Sequence, residues 1–282
     1  MFRSIPFFVF ISGLLLIIGC EKDVEIPQTD PAVQLETDIK LIKDYLVANG
    51  LSAQETASGL HYIVEEKGSG DFIELNAETN LLLKGYFLDG EVFDQTDDCF
   101  PVTMVMSNVI EGFQEGIQKF NVGGKGTILI PSGLAFGQNG NGTIPVNSVL
   151  IFDVEIIDQK VFDKNKILTY LEENNLTADT TLSGIYYIID TPGEGRNPTS
   201  SSTVTVSYRG FFANGRVFDE RGFQTFSLGS VIQGWKEAIP LLKPGGSGTF
   251  FIPSNLGYGP TGTSGIPGNA MLIFEVKLED FN

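Results

Sequence analysis

At 282 residues and 42% hydrophobic side chains, the chain is long enough for one to two domains with proper cores. Its 33 Gly and 22 Phe favour a turn-rich β protein over a helical one. Lys and Arg number 18 against 35 Asp and Glu, and the net charge of −17 repels a nucleic-acid backbone, so nucleic acid is excluded as a partner.

Residues 1–19 read as a signal peptide. Arg3 gives a positive start, and residues 6–19 form an apolar run too short for a membrane span, which needs about twenty residues. The run ends Ile17-Ile18-Gly19-Cys20, which resembles the lipobox of bacterial lipoproteins, with Ile17 where Leu is usual. That resemblance implies lipidation of Cys20 and a membrane contact through acyl chains, not through a spanning helix. Glu21 stands where an Asp would favour inner-membrane retention, so the expected location is the outer membrane, on its periplasmic face or at the cell surface. An ordinary signal peptide with an accidental Cys is the alternative. With Cys20 lipidated, Cys99 is the remaining thiol and no intramolecular disulfide can form. Residues 20–36 are polar, contain Pro27 and Pro31, show no periodicity and read as a tether.

The rest of the chain is a duplication. Tyr45 matches Tyr170, Gly59 matches Gly184, Gly85 matches Gly210, and Phe93-Asp94 matches Phe218-Asp219, all at an offset of 125. Further on, Ile110 matches Ile232, Gly126-Thr127 matches Gly248-Thr249, Pro131-Ser132 matches Pro253-Ser254, and Phe152 matches Phe274, at an offset of 122. Two copies of one domain follow, at 37–160 and 161–282, with three extra residues in the first copy somewhere in 95–108.

Each copy opens with a helical pattern. Residues 38–49 place Ile39, Ile42, Tyr45 and Leu46 on one stripe, and 163–174 do so with Ile167, Leu168 and Leu171. A strand follows with His61-Tyr62 or Tyr186-Tyr187. His61 is the single His of the chain and aligns with a Tyr, so it reads as a half-buried strand residue; metal sites and Ser/His or Cys/His hydrolases lack their parts. Val204, Val206 and Tyr208 alternate onto one strand face. Asn214-Gly215 and Asp89-Gly90 then predict type I′ hairpin turns. Ile232, Trp235, Ile239 and Leu242 predict a short amphipathic helix, ended by Pro240, and Ile110, Phe113, Ile117 and Phe120 repeat it. Gly-rich turns lead to two closing strands per copy. One short helix against an antiparallel sheet, preceded by another helix, is an α+β arrangement.

In this order the residues resemble the FKBP-type peptidyl-prolyl cis-trans isomerases. The resemblance rests on Tyr208…Gly210, Val217-Phe218-Asp219, Leu228-Gly229, residues 231–235 (VIQGW), Tyr258-Gly259, Gly265-Ile266-Pro267 and residues 272–276 (LIFEV). It spans roughly 185–279, and more loosely 60–158. It implies a twisted antiparallel half-barrel around one short helix in each copy, no cofactor, and substrates that are proline-containing unfolded or exported polypeptides, with macrolides as ligands. By position, Trp235 would be the pocket floor, and Tyr208, Phe218, Phe226 and Phe274 its walls. Val231 and Ile232 would stand at the entrance, Ile266 on a flap, and the Tyr258 hydroxyl and Ile232 N–H would face a substrate. Asp219 would orient Tyr208. Without the resemblance, Trp235 reads equally well as plain core; for Asp219 the alternative is a turn residue after a strand.

The first copy keeps Phe93, Asp94, Val109, Ile110, Ile144 and Phe152, but Leu83, Phe113 and Phe136 replace Tyr208, Trp235 and Tyr258. It is expected to hold peptide weakly and to turn over little or nothing. Rotation about an X-Pro bond needs no nucleophile: an apolar slot disfavours the charge-separated planar amide, and a few fixed dipoles hold the twisted carbonyl. A peptide-binding chaperone or scaffold lipoprotein with little or no isomerase activity is the alternative.

Overall fold

The computed structural model describes residues 30–282. The expected leader, Cys20 and the start of the expected tether lie outside the described residues. The first half comprises helix α1 (Pro31–Ala48), strands β1 (Gln54–Glu55), β2 (His61–Glu66), β3 (Glu78–Tyr86), β4 (Val92–Gln95) and β5 (Val102–Val105), helix α2 (Glu111–Ile117), and strands β6 (Lys125–Ile130) and β7 (Leu150–Ile157). The second half repeats it with α3 (Gln159–Glu173), β8 (Asp179–Thr180), β9 (Tyr186–Thr191), β10 (Thr203–Phe211), β11 (Val217–Ser227), α4 (Gln233–Ala238), β12 (Ser247–Ile252) and β13 (Leu272–Phe281). The sheets run β1-β2-β6-β7-β3-β4, with β5 also on β3, and β8-β9-β12-β13-β10-β11. All pairings are antiparallel and neither sheet closes.

Strand alternation gives each sheet two apolar faces. In the second half, Val204, Val206, Phe250, Val276 and Leu278 meet α4 on one face. Phe211, Phe251, Met271 and Ile273 meet Ile167 and Leu171 of α3 on the other. The first half repeats this, with Ile42 and Leu46 of α1 against Leu129, Val149 and Ile151. Each sheet is thus sandwiched between a long and a short helix. The short helix comes very close: a Cβ on Gly234 would lie 2.4 Å from Ile252 Cγ2, and one on Gly112 would lie 2.2 Å from Ile130 Cγ2.

Three expectations need correction. Helix α1 starts at Pro31, so the expected tether of 20–36 overlaps it, and α3 starts at Gln159, ahead of 163. The start signals are Asp30 before Pro31, whose carboxylate accepts from the Ala32 N–H at 2.9 Å, and Asp158, which accepts from Lys160 and Val161 N–H. The hairpins are not type I′. Only Gly90 and Gly215 have positive φ, and the Phe87 carbonyl accepts from Gly90 N–H at 2.9 Å, which is the three-residue loop with a left-handed glycine. His61 is fully buried rather than half-buried, its Nδ1 2.9 Å from the Gly59 carbonyl.

Asp38 and Asp163, expected as helix starts, are buried one turn or more inside and perform the same task in both halves. Asp163 Oδ2 accepts from Ser254 N–H at 2.8 Å and Ser254 Oγ at 2.7 Å, while Oδ1 accepts from Gln159 Nε2 at 2.8 Å. Asp38 accepts from Ser132 N–H, Ser132 Oγ and Gln34 at 2.8, 2.6 and 2.7 Å. Burial pushes the Asp163 carboxyl upward, and its three donors oppose that shift. The latch fixes the long helix to the segment that leads to Tyr258 or Phe136. Among the described residues no helix is long and apolar enough to cross a membrane.

Candidate active site

The site is assembled where β10, β11, β13 and α4 meet. Tyr208 lies opposite Arg221, and Gly210 opposite Asp219, in the β10–β11 ladder. The Tyr208 hydroxyl donates to Asp219 Oδ2 at 2.5 Å, and Arg221 Nε lies 3.1 Å from Oδ1. The carboxylate is held from both sides. Burial pushes the Tyr208 hydroxyl well above the ordinary range, and Asp219 adds to the shift while Arg221 opposes it. Tyr208 therefore stays protonated throughout the neutral range, its proton committed to Asp219.

Trp235, in the first turns of α4, is 5% exposed and sits beneath an aromatic group. Its ring centroid is 5.1 Å from Tyr208, 5.7 Å from Phe226 and 5.3 Å from Phe274, all near perpendicular. Phe218 completes the group, edge-on to Phe274 at 5.4 Å. Such edge-to-face pairs are each worth about 0.5–1.5 kcal/mol beyond burial, so the rings hold one another in place. Gly210 makes the spacing possible: a Cβ there would lie 2.5 Å from Phe218 and 2.8 Å from Phe274.

Two donors at the rim have no partner among the described residues. Ile232 caps α4, its carbonyl accepting from Trp235 N–H at 3.0 Å, and its own N–H is not used. Tyr258 is 39% exposed and its hydroxyl is unpaired; burial, then the charge of Asp219, pushes that hydroxyl upward in pKa. Val231 and Ile232 pack against the core partly buried, and Ile266 is buried on the turn where Thr263 N–H donates to its carbonyl. All the residues singled out in the second copy are therefore brought together.

The first half assembles the frame without the hydroxyls, although Ile110 caps α2 as Ile232 caps α4 and its N–H is likewise not used. Phe152 is edge-on to Phe93 at 5.5 Å and to Phe113 at 5.1 Å, with Ile110, Ile144 and Phe136 in the same cluster. Leu83 is buried where Tyr208 stands, and Met104 takes the place of Phe226. Asp94 is partly buried with only the Gln95 backbone N–H to help it, so burial pushes its carboxyl upward.

Three residues of the site's surroundings were not visible in the sequence. Arg221 has Thr96 as its counterpart, so the repeat gave no signal. Phe212 packs on Phe218 at 4.9 Å, and a hint lay in the pairs Phe211-Phe212 and Tyr86-Phe87 before each turn. Phe100 packs on Phe212 at 5.0 Å, and it comes from the other half of the chain. An open depression of about 740 Å³ lies on the opposite sheet face among Asp190, Arg209, Glu220, Glu275 and Lys277. Its mixed charge and shallow form are unlike the aromatic slot, which is the better site on chemical grounds.

Residues 68–157 and 194–279 match the family model of the FKBP-type peptidyl-prolyl cis-trans isomerases, more than half of the chain. The chain belongs to this family. It is 46% identical over 123 residues to a probable FKBP-type peptidyl-prolyl cis-trans isomerase FkpA of Neisseria meningitidis, covering 41% of this chain and 45% of the relative. It is 39% identical over 121 residues to the peptidyl-prolyl cis-trans isomerase Mip of Coxiella burnetii, covering 41% and 53%. The crystal structure of FkpA from Escherichia coli aligns with 33% identity and a TM-score of 0.41, over 44% of this chain and 60% of that one. The chain spans about half the length of the curated relatives it matches. The FKBP match covers both halves, so both belong to the family, and the first has Leu83 and Phe136 where the second has Tyr208 and Tyr258.

Proposed function

We propose that the second half is a peptidyl-prolyl cis-trans isomerase acting on X-Pro bonds of exported polypeptides, and that the first half binds peptide weakly with little or no turnover. The observation that carries this is the aromatic cluster over Trp235 beside two unpaired donors, Ile232 N–H and Tyr258 OH, the second of which has no counterpart in the first half. A prolyl ring fits an apolar slot of this kind. The X-Pro carbonyl would leave the amide plane and accept from a rim donor, while the apolar walls disfavour the charge-separated planar form. The barrier to be lowered is about 18–20 kcal/mol. Tyr208, its hydroxyl donating a hydrogen bond to Asp219, sets the wall and the local potential; it does not transfer protons. In the first half Leu83, Phe113 and Phe136 supply an apolar slot without hydroxyls, leaving the Ile110 N–H as its rim donor, which favours binding over catalysis there.

The decisive measurement is a protease-coupled prolyl-peptide assay on the chain without its leader. Turnover above the uncatalysed rate, reduced by Tyr258→Phe and by Asp219→Leu, is expected; no turnover sinks the reading. Quenching of Trp235, the single Trp of the chain, by a macrolide would report ligand entry into the second slot. The envelope location and lipid anchor at Cys20 belong to the same proposal, supported by the apolar leader and the lipobox. Incorporation of labelled fatty acid in a bacterial host, abolished by Cys20→Ser, is the expected result.

A further inference from the structure

The two halves differ most where β4 and β5 stand. In the second half, β11 runs on past Tyr208 with only a bulge: Val206 pairs with Gln224 and Tyr208 with Arg221. In the first half, Leu81 pairs with Val102 and the Leu83 carbonyl accepts from Thr96 N–H at 3.0 Å. Residues 96–101 therefore occupy the place of 221–223, which locates the three-residue insertion. The longer loop reaches the other half. Pro101 is buried, and its carbonyl accepts from Asn269 Nδ2 at 2.9 Å. Asn269 Nδ2 also donates to Thr103 Oγ1 at 2.8 Å, and Asn80 Nδ2 donates to Gln159 Oε1 at 3.2 Å across the same joint.

The loop's Phe100 packs into the core of the second half. It is edge-on to Phe212 at 5.0 Å, and the Arg216 guanidinium lies over both rings, at 5.5 Å and 4.7 Å. Phe212 in turn supports Phe218, the slot wall, at 4.9 Å. The counterpart of Phe212 is Phe87, which supports Phe93 at 5.0 Å but stays partly exposed, while Phe212 is 1% exposed. The repeat also supplies the counterpart of Asn269. Asn147 shares its left-handed backbone, with φ 55° against 57°, yet its buried Oδ1 has no partner. The fold provides one receiving surface per half, and the loop fills the one beside the intact slot.

We propose that Phe100 is a positioning residue for the second slot: seated on Phe212, it fixes Phe218 and thereby tunes how tightly the second half holds a prolyl substrate. The proposal rests on the isomerase reading. It follows from the contact order Phe100, Phe212, Phe218, Phe274, Trp235, in which each ring touches the next. A wall ring backed by packed side chains has one preferred position; a wall ring backed by water has several, and substrate binding must then select among them.

The test uses the chain without its leader and compares Phe100→Ala, Phe100→Tyr and Asn269→Gly. For Phe100→Ala the KM for a prolyl peptide should rise about fivefold, the scale of one lost aromatic pair, with kcat nearly unchanged and the Trp235 emission shifted. Phe100→Tyr keeps the ring and should match the parent chain. Asn269→Gly removes the polar tie while tolerating the positive φ, and should lower the melting temperature without moving KM or emission. Unchanged KM and emission in Phe100→Ala, with only a lower melting temperature, would reduce Phe100 to interdomain glue and overturn the proposal. Should Phe100→Ala fail to fold, Phe100→Leu carries the comparison: a raised KM supports positioning and an unchanged one overturns it. A parent chain without turnover defeats the isomerase reading instead, and the emission and peptide-quenching comparison still decides whether Phe100 shapes the slot.

Discussion

Asp219 and Asp94 occupy the same place in two copies of one sheet, yet only the first has side-chain partners. Asp219 is met by the Tyr208 hydroxyl and Arg221, whereas Asp94 has a single backbone N–H. The rings around them tell the same story. Both halves keep edge-to-face phenylalanines, but the second adds Tyr208, Trp235 and Tyr258. A fold can keep its packing after losing its polar rim, because apolar contacts in a core depend on volume and shape, while a donor matters only to what it binds. The frame is thus shared and the chemistry is local.

The comparison can be broken most directly by making the second slot resemble the first. Tyr208→Leu with Trp235→Phe and Tyr258→Phe should lower kcat/KM roughly a hundredfold, the scale on which a lost preorganised donor acts. Activity near the parent level would move catalysis to the first half or elsewhere. The latch, in contrast, should be equivalent in both halves. Asp163→Ala and Asp38→Ala each leave a buried serine, Ser254 or Ser132, with its N–H and hydroxyl deprived of their acceptor, and each should cost on the order of 2–4 kcal/mol in denaturant unfolding. A large loss from one and none from the other would show that the halves do not fold alike.

A smaller effect sharpens the contrast between the two aspartates. The Asp94 carboxyl is pushed upward in the folded state, so its contribution is most favourable below the unfolded value, about pH 4, and is lost as pH rises through the elevated folded value. Asp94→Asn should therefore raise the melting temperature of the first half modestly at pH 7, with the gain vanishing toward pH 4. A gain that grows on acidification would contradict the assignment. Smallest of all should be the response of the first slot to ligand: with Trp235→Phe and Phe113→Trp combined, a macrolide should barely quench the relocated Trp, and tight quenching would give the first half a binding role equal to the second's.

Much of this was legible in the sequence because duplication turns one chain into its own comparison. The offsets of 125 and 122 placed the insertion, the lost hydroxyls and the short helices. Strand alternation gave the inward face of β10, and the spacing of Ile232, Trp235, Ile239 and Leu242 gave the helix, although Ile232 proved to be its cap and Pro240 to lie within a 3-10 turn that begins at Ile239. Helix starts were misplaced because Asp38 and Asp163 look like caps by residue type, and only their burial shows that they serve a distant serine. Phe100 was beyond reach for a different reason. Its partner is more than a hundred residues away and has no periodic relation to it, so no local pattern could name it.

The serine latch also sets the size of the smallest autonomous piece. The family match in the second half begins at residue 194, after α3, β8 and β9. A fragment cut there would strip β12 of its β9 neighbour and leave Ser254 donating to nothing in the interior. One begun at Asp158 retains the cap of α3, the carboxylate and the full sheet. The inheritable module is therefore the long helix together with its sheet, and recombination or expression at narrower boundaries would separate a serine from the aspartate about ninety residues before it that makes its burial tolerable.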